Sequence, residues 1–418
     1  MNQNQNLYRV SILIFILSYF SFFLGFIFNE NSAGGGKIDF EHTLSTVNVF
    51  KLGILEAITD IKYESSRPPL FAILNSLNPF YYSNFSLKFS NFILNCFIPL
   101  FLYFLLKKQN NFDKKIIFII TSIILLSPYF RTTSFWALEE NLPILFFFIT
   151  LILVELNLSK YKKIILVAIF SALAVYSEQK FVFLSLFTYL YFLSKNRGLK
   201  DFFYISLIYF ISAIPFIYLI FQWGSITPPQ PSYRFGLNLE NISYITSIVI
   251  FYFIPLFVFL VSDGQFKFFY KKFTKKNNLV FLLILILNFI LLPDFKSLWG
   301  NGVISKLSYY MINNLHINLI LIQILFLIYN TLGSFVIYLI LSKNIKNFLP
   351  FLIIFIQSSF IQVVHQEYID PLFYLLIFCY FSYDKINIYK NKLIYMYFTF
   401  SLFFLIFANL YYSLVIKV

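Results

Sequence analysis

The stretch VSILIFILSYFSFFLGFIF, residues 10–28, decides the class of fold. It carries no charged side chain, and its length is close to the roughly 20 apolar residues that a helix needs to cross a bilayer. It is longer than the apolar core of a secretory signal peptide, and no convincing small-residue cleavage site follows it. We therefore expect a retained first transmembrane helix.

The rest of the chain repeats this pattern. Apolar residues make up 59% of the 418 residues, charged residues make up 12%, and the mean hydropathy is +0.77. A water-soluble domain covers itself with more polar groups than this. Further apolar runs lie at 89–106, 116–130, 137–157, 163–177, 180–194, 202–222, 244–262, 279–293, 317–342, 348–364, 371–383 and 393–416. These runs predict an all-α polytopic transmembrane bundle of about 11–13 helices, with residues 1–418 as a single membrane domain.

The distribution of basic residues predicts the orientation. If the N-terminus lies in the cytoplasm and the runs alternate, Arg9 and six short turns on the inner side hold 21 of the 32 Lys and Arg residues. Cytoplasmic loops are enriched in these residues. The turns are 107–115, 160–163, 195–200, 263–276, 343–346 and 384–392. They account for the net charge of +14 without a nucleic-acid partner, and we expect an integral protein of the bacterial cytoplasmic membrane.

Acidic residues and histidines fall on the other side of the membrane. In the same orientation, 13 of the 18 Asp and Glu residues and all three histidines lie outside. The orientation rule for basic residues does not require this, because Asp and Glu contribute little to topology. The asymmetry predicts an active site on the outer face, and residues 29–88 form the first outer loop, with short helices of its own.

The sequence contains no phosphate-binding loop, dinucleotide fingerprint, HExxH or paired CxxC motif. Cys96 and Cys379 lie far apart in apolar runs, which favours two structural thiols over a disulfide or a metal site. We expect no cofactor and no required metal, although a metal held by Asp39, Glu41 and His42 stays open as the weaker alternative.

The stretch GGGKIDFEHTLST, residues 34–46, follows the first helix. Its glycines allow a sharp turn, and a helix beyond them would bring Asp39 and His42 about one turn apart. A carboxylate near a medium of low dielectric constant has a tunable pKa, which suits a general base. Asp39 and Glu41 are therefore the candidate catalytic residues, and His42 is a candidate substrate contact.

Other outer segments supply further candidate substrate-binding residues. Pro68 and Pro69 hold Arg67 out of helical geometry, and an arginine fixed near the membrane surface can bind a phosphate through two hydrogen bonds. Asp370 is expected to cap a helix that begins at Pro371. The full set of candidates is Arg67, Arg131, Glu139, Glu140, Glu178, Lys180, Arg234, His365 and Glu367, together with His42.

Four segments carry a resemblance to the GT-C superfamily of membrane glycosyltransferases. They are DFEH (39–42), SSRPPLF (65–71), FRTTSFWALEE (130–140) and QEYIDPL (366–372), which look similar to segments of bacterial members and of the dolichyl-phosphate-glucose glucosyltransferases. The resemblance implies a GT-C-like bundle, a polyprenyl-phosphate sugar as donor and inversion at the anomeric carbon. It also implies a carboxylate of the first outer loop as base. The adjacent acidic pair of many members is replaced here by Asp39-Phe40-Glu41, which leaves open which carboxylate that is.

The expected reaction transfers a sugar from polyprenyl phosphate to a lipid-linked or cell-envelope glycan, with the lipid tail of the donor among the helices. A cation near the departing phosphate would lower the barrier, and Arg67, Arg131, Lys180 and Arg234 are candidates. Two alternatives stay open. An O-antigen or polysaccharide polymerase or ligase would centre on a later outer loop, whereas a lipid-linked-sugar transporter or flippase would place its charges in mid-membrane.

Overall fold

The computed structural model describes residues 3–109, 111–228, 236–264, 275–295, 301–342, 344–383 and 391–414. The described residues form an all-helical structure without a β-strand, in which loops and turns connect the helices. By its internal contacts the chain divides into two compact units, Met1–Tyr233 with Ser401–Val418, and Arg234–Phe400. Where one membrane domain was expected, two units are therefore described, each by itself.

The first unit is built around long apolar helices. The helices in chain order are α1 (Gln3–Ile27), α2 (Gly36–Leu52), α3 (Ile54–Ala57), α4 (Leu70–Ser76), α5 (Asn84–Gln109), α6 (Lys114–Leu125), α7 (Pro128–Trp136), α8 (Leu142–Glu155), α9 (Lys160–Ser177), α10 (Val182–Lys195) and α11 (Leu199–Trp223). Helix α9 packs against α8, α10 and α11, while α5 packs against α6, α7 and α8. A core of stacked phenylalanines, among them Phe22, Phe92 and Phe130, joins α1, α5 and α7.

The second unit begins with α12 (Glu240–Ser262), against which most of its other helices pack. These helices are α13 (Lys275–Ile290), α14 (Gly302–Asn313), α15 (Leu319–Leu341), α16 (Leu349–Ser359) and α17 (Leu372–Leu375). Helix α18 (Asn391–Leu414) begins here, and its residues from Ser401 onward belong to the first unit. A buried cluster of Tyr244, Phe295, Ile322 and Phe326 forms part of the core of this unit.

Six described helices are long and apolar enough to cross a membrane, or seven if one bent pair forms a single span. The six are Leu7–Ile27, Asn84–Gln109, Leu199–Trp223, Glu240–Ser262, Leu319–Leu341 and Asn391–Ser413, and the bent pair is α6 with α7. The chain is therefore an all-helical protein with the character of an integral membrane protein. Several of the other apolar runs form shorter helices, such as the 14 residues of α8, so the figure of 11–13 membrane-crossing helices stays a prediction.

The apolar run at 116–130 is not one helix. It breaks between α6 and α7 with a bend of 62°. Pro128 opens α7, and the Ser127 side chain accepts a hydrogen bond from the Phe130 amide at 3.1 Å, capping the new helix. The interpretation of Asp370 as a helix cap is wrong: α17 begins at Leu372 after Pro371, and the Asp370 carboxylate accepts a hydrogen bond from the Tyr252 hydroxyl at 2.8 Å.

Candidate functional site

Several segments of the first unit meet at one end of it. The Trp223 indole at the end of α11 donates to the Ile58 carbonyl at 2.9 Å, and the Gln179 amide, between α9 and α10, donates to the Ser66 carbonyl at 3.1 Å. The loop between α3 and α4 is thus held against the ends of three other helices. Chain segments that the sequence places on the outer side converge here.

The glycine turn that opens α2 has a specific geometry. Gly34 and Gly35 have φ of 75° and 71°, in the left-handed region that favours glycine. Gly36 lies against Trp136, Asn31 and Thr132, where an added Cβ would come within 2.7–2.9 Å of their side-chain atoms. The turn therefore anchors the start of α2 on α7, and the expected helix follows it.

On α2, Asp39, Glu41 and His42 are all exposed, while Phe40 is buried against α7. The His42 ring nitrogen Nδ1 is hydrogen-bonded to Oε2 of Glu64 in the loop between α3 and α4. The Ser45 hydroxyl donates to Oε1 of the same carboxylate at 3.4 Å. A histidine whose ring is oriented by a carboxylate is a common arrangement for moving protons.

Five charged side chains, each at most 14% exposed, form a second group, and we call it the five-charge cluster: Arg67, Glu139, Glu140, Glu178 and Lys180. Arg67 Nη1 lies 2.6 Å from Glu140 Oε1 and 3.6 Å from Glu139 Oε2. Its Nε lies 3.7 Å from Glu178 Oε1, and Lys180 Nζ lies 2.8 Å from the same oxygen. The turns before α8 and α10 bring the carboxylates and Lys180 together, so these five predicted residues form one network.

Hydroxyl groups complete the network. Ser65 donates to Glu139 Oε2 at 2.6 Å, and Thr133 donates to Glu140 Oε2 at 3.2 Å. Glu178 Oε2 is buried and makes no hydrogen bond among the described residues. Two cations face three carboxylates in this network. Its net charge is −1 when all three carboxylates are ionised and zero when one is protonated, so in neither state does it carry a net positive charge that attracts a phosphate.

The two glutamates of the turn before α8 differ in pKa. Burial raises the pKa of Glu139 from 4.5 to about 7, against the lowering effects of Arg67 and Ser65. Burial also disfavours ionised Glu140, but the adjacent Arg67, hydrogen bonds and Lys180 outweigh it and lower the pKa of Glu140. Glu139 therefore binds or releases a proton near neutral pH, whereas Glu140 stays ionised as the main partner of Arg67.

Arg131 lies elsewhere in the same unit. Its guanidinium is 2% exposed and binds Glu30 twice, Nε to Oε1 at 2.8 Å and Nη2 to Oε2 at 2.5 Å. It also donates to the carbonyls of Leu125 and Ser21. These four hydrogen bonds use all three nitrogens of the guanidinium and tie α1 to α7. The role of Arg131 in phosphate binding stays a prediction, and these contacts favour a structural role.

Lys88, on the first turns of α5, is a cation that sequence reasoning missed. Its ammonium lies 3.5 Å from the centre of the Trp136 ring and 4.9 Å from that of Phe40. It also lies 3.4 Å from the Asn29 side-chain oxygen. The described contacts of Lys88 are thus two aromatic faces and an amide, whereas Arg67, Arg131 and Lys180 contact carboxylates.

The remaining candidates fall within the stretch of chain that forms the second unit. His365 and Glu367 belong to the second unit, in and beside a short helical turn, and the His365 ring lies edge-on to Tyr368 at 5.7 Å. Beside them, the Gln366 amide donates to the Tyr252 hydroxyl at 2.9 Å and extends the contact of Asp370. Arg234 lies outside the described residues.

The sequence could not point to the partners that complete the site. In the sequence, Glu64 and Glu30 were two of several acidic residues in the predicted first outer loop. The structure shows their partners, His42 at a separation of 22 positions from Glu64 and Arg131 at a separation of 101 positions from Glu30. For Lys88 the sequence did contain a signal: it is a lysine four residues into an apolar helix, at the end predicted to lie on the outer side. Among the described residues, no group of three His, Cys, Asp or Glu side chains is arranged to hold a metal ion.

Comparisons of this chain with family models, with curated proteins and with solved structures found no match.

Proposed function

We propose that this chain is an integral membrane glycosyltransferase of the inverting type, which moves a sugar from a polyprenyl-phosphate donor to a lipid-linked or cell-envelope glycan. The reaction takes place at the end of the first unit where α2, α7 and the loop before α4 meet, on the outer face of the membrane. The fold proposed with it is a GT-C-like bundle.

One observation carries the proposal: ionisable groups suited to proton transfer lie at one end of a strongly apolar helical unit. The exposed groups of α2 and the Glu64 carboxylate adjoin the five-charge cluster, because Ser65, the next residue, donates to Glu139 at 2.6 Å. Charged side chains are costly in a membrane and tend to serve function where they occur. A lipid-linked donor brings its reacting bond to such a depth, while its tail remains among apolar helices.

The chemistry needs a group that takes the proton of the acceptor hydroxyl and a cation that stabilises the departing phosphate. Attack at the anomeric carbon passes through an oxocarbenium-like transition state, and charge builds on the phosphate oxygen as the bond to it breaks. Asp39 and Glu41 are the carboxylates that sequence reasoning assigned to the proton.

For the phosphate we assign Lys88. The carboxylates of the five-charge cluster outnumber its cations, so Arg67 and Lys180 offer an anion little net attraction. Arg131 is fully engaged by Glu30. The ammonium of Lys88 lies against two ring faces, makes no ion pair with a carboxylate among the described residues, and lies beside Phe40 on α2. Cations on aromatic faces are attracted by about 0.5–2 kcal/mol, which orients the ammonium without neutralising it.

The experiment is a transfer assay with purified protein in proteoliposomes and a panel of polyprenyl-phosphate sugars. Membrane lipid and envelope glycan extracts serve as acceptors, and products are identified by mass spectrometry. We expect one donor to yield a glycosylated product and free polyprenyl phosphate. Folded protein that turns over none of the donors would contradict the proposal.

The assay is sharpened by replacing Lys88. Lys88→Met should lower kcat/KM for the donor by about ten- to a hundredfold, because one charge-assisted contact to phosphate is lost. The matched control is Lys51→Met: Lys51 also lies over an aromatic ring, 3.4 Å from the centre of Tyr81, but at the far end of α2. Equal rates in both variants would remove Lys88 from the phosphate site.

A further inference from the structure

From the contacts at the end of the first unit we infer that His42, oriented by Glu64, is the general base of this transfer, in place of Asp39 or Glu41. The inference rests on the proposed function and names the group that accepts the proton of the acceptor hydroxyl. His42 is then a catalytic residue, and Glu64 is a positioning residue.

The pair has the geometry that a histidine base needs. Nδ1 of His42 is hydrogen-bonded to Glu64 Oε2, and an ionised carboxylate only accepts hydrogen bonds, so the ring carries its proton on Nδ1. The lone pair of a neutral imidazole then lies on Nε2. The side chains of His42 and Glu64 are 49% and 38% exposed, so an acceptor hydroxyl can reach the ring.

Glu64 is held from two sides. The Ser45 hydroxyl, on the same helix as His42, donates to its other oxygen at 3.4 Å. The next residue, Ser65, donates to buried Glu139 at 2.6 Å and so ties the loop to the five-charge cluster. A surface ion pair on a free loop is worth little and fluctuates, but this loop is anchored directly beside the carboxylate. The cluster thereby gains a function, which is to fix the position of Glu64.

The two carboxylates of α2 are less suited to the task. Asp39 lies in the first turn of α2, where the helix dipole favours the ionised form. Histidine is the side chain that most often acts as a general base in enzymes, and here a carboxylate orients the ring of His42. The oriented imidazole of His42 is therefore the better candidate for the group that accepts the proton.

The transfer balances with His42 as base. The acceptor oxygen forms a bond to the anomeric carbon of the sugar, and its proton passes to Nε2 of His42. The bond between that carbon and the phosphate oxygen breaks, and polyprenyl phosphate leaves with the electron pair. The imidazolium, stabilised by the Glu64 carboxylate, then releases its proton to water.

Other charged groups around α2 define the background of the pH dependence. Helix α2 packs against α3, α4 and α7. In addition to Glu64 in the neighbouring loop, helix α2 itself carries the charged residues Lys37, Asp39, Glu41 and Lys51. Helix α3 carries Glu56, α4 carries no charged residue, and α7 carries Arg131, which is hydrogen-bonded to Glu30. Of these elements, only α2 carries an imidazole, which is that of His42.

The test compares His42→Gln, Glu64→Gln and Asp39→Asn in the transfer assay across pH 5–9. His42→Gln should lower kcat by about a hundredfold or more with little change in KM for the donor, the usual scale for a positioned base. In the wild type, kcat should fall at acid pH, because a general base that is already protonated cannot accept the proton of the acceptor. Glu64→Gln should lower kcat without raising the KM for the donor, because the ring of His42 loses the carboxylate that orients it. Asp39→Asn should retain most of the activity.

Chemical rescue separates a catalytic role from a structural one. Added imidazole should restore part of the transfer in His42→Ala and none in Lys88→Met, since only the first lacks a base. A His42→Gln variant that transfers sugar at the wild-type rate would overturn the inference while leaving the proposed function in place. An Asp39→Asn variant that is folded but inactive would do the same. A folded wild type that turns over no donor would overturn the proposed function, and the inference with it.

Discussion

At the scale of single residues, Arg131 differs most from what its position in the sequence indicated. An arginine at the outer end of an apolar run looks like a phosphate ligand, but Glu30, 101 positions earlier, neutralises it in the interior. Gly25 makes room for the pair, since an added Cβ there would lie 2.6 Å from both side chains. A contact at such separation leaves no periodic signal in the sequence.

The Arg131–Glu30 pair predicts a stability effect. Arg131→Met should destabilise the protein by about 3–5 kcal/mol, because Glu30 is left as an uncompensated charge in a mostly buried position. The double variant Arg131→Met, Glu30→Met should recover most of that loss, as measured by thermal unfolding in detergent. The exposed Arg197, replaced by Met, is the control and should change little. If Arg131→Met unfolds like the wild type but transfers no sugar, Arg131 has the phosphate role after all.

Glu139 predicts a pH dependence of stability. Its pKa is raised from 4.5 to about 7 by burial, so the folded state holds a proton that the unfolded state releases. Stability should therefore fall as the pH rises from about 4.5 to 7 and then level off, by up to about 3 kcal/mol for this one group. The lowered pKa of Glu140 acts below pH 4.5 and does not overlap with this window.

The measurement is the unfolding temperature of the wild type and of Glu139→Gln between pH 4.5 and 8. The variant, which carries no ionisable group there, should show a flatter dependence. Glu41→Gln, on the exposed surface of α2, should follow the wild-type curve. Parallel curves for the wild type and Glu139→Gln would mean that Glu139 keeps an ordinary pKa.

At the scale of elements, the sequence predicted the helices well and the breaks between them less well. Charge-free runs such as 10–28 and 202–222 have no other stable form in a membrane, and they became α1 and α11. The break at Ser127-Pro128 was visible as a cap followed by a proline at the first helical position. The apolar run was nevertheless interpreted as one helix, because an average over apolar residues does not register a proline that begins a new helix.

The start of α2 predicts the effect of one methyl group. Gly36→Ala should destabilise the protein by about 1–3 kcal/mol, since the new Cβ would lie 2.7 Å from the Trp136 ring. That ring is held by its hydrogen bond to the Glu30 carbonyl and lies under Lys88, so the donor KM should rise as well. Gly236→Ala, whose nearest neighbour would be 3.9 Å away, is the control. Unchanged tryptophan fluorescence and stability in Gly36→Ala would show that Trp136 moves freely.

At the scale of the whole molecule, composition alone predicted the class of the protein, because only a membrane accommodates so much apolar surface. Alternating helices also predicted that the segments on one side of the membrane would converge. The contacts of Arg67 with Glu139, Glu140 and Glu178 agree with that prediction. The sequence did not predict which carboxylate contacts which cation. That pairing depends on how short segments such as 58–69 fold back against the helices. The division into two units was not predicted, because no segment of the sequence has the composition of a linker between them.

The central claim is that the end of the first unit carrying α2 faces the outside and performs the transfer. The most direct measurement places a single cysteine at Lys37, exposed on the first turn of α2, in a background where Cys96 and Cys379 are replaced by Ala. Proteoliposomes of known orientation are treated with a bulky membrane-impermeant maleimide, and labelling and sugar transfer are followed together. We predict labelling from the outer side only, with transfer falling in proportion to the labelled fraction and with protection by donor. Labelling from the cytoplasmic side alone, or complete labelling with undiminished transfer, would contradict the account.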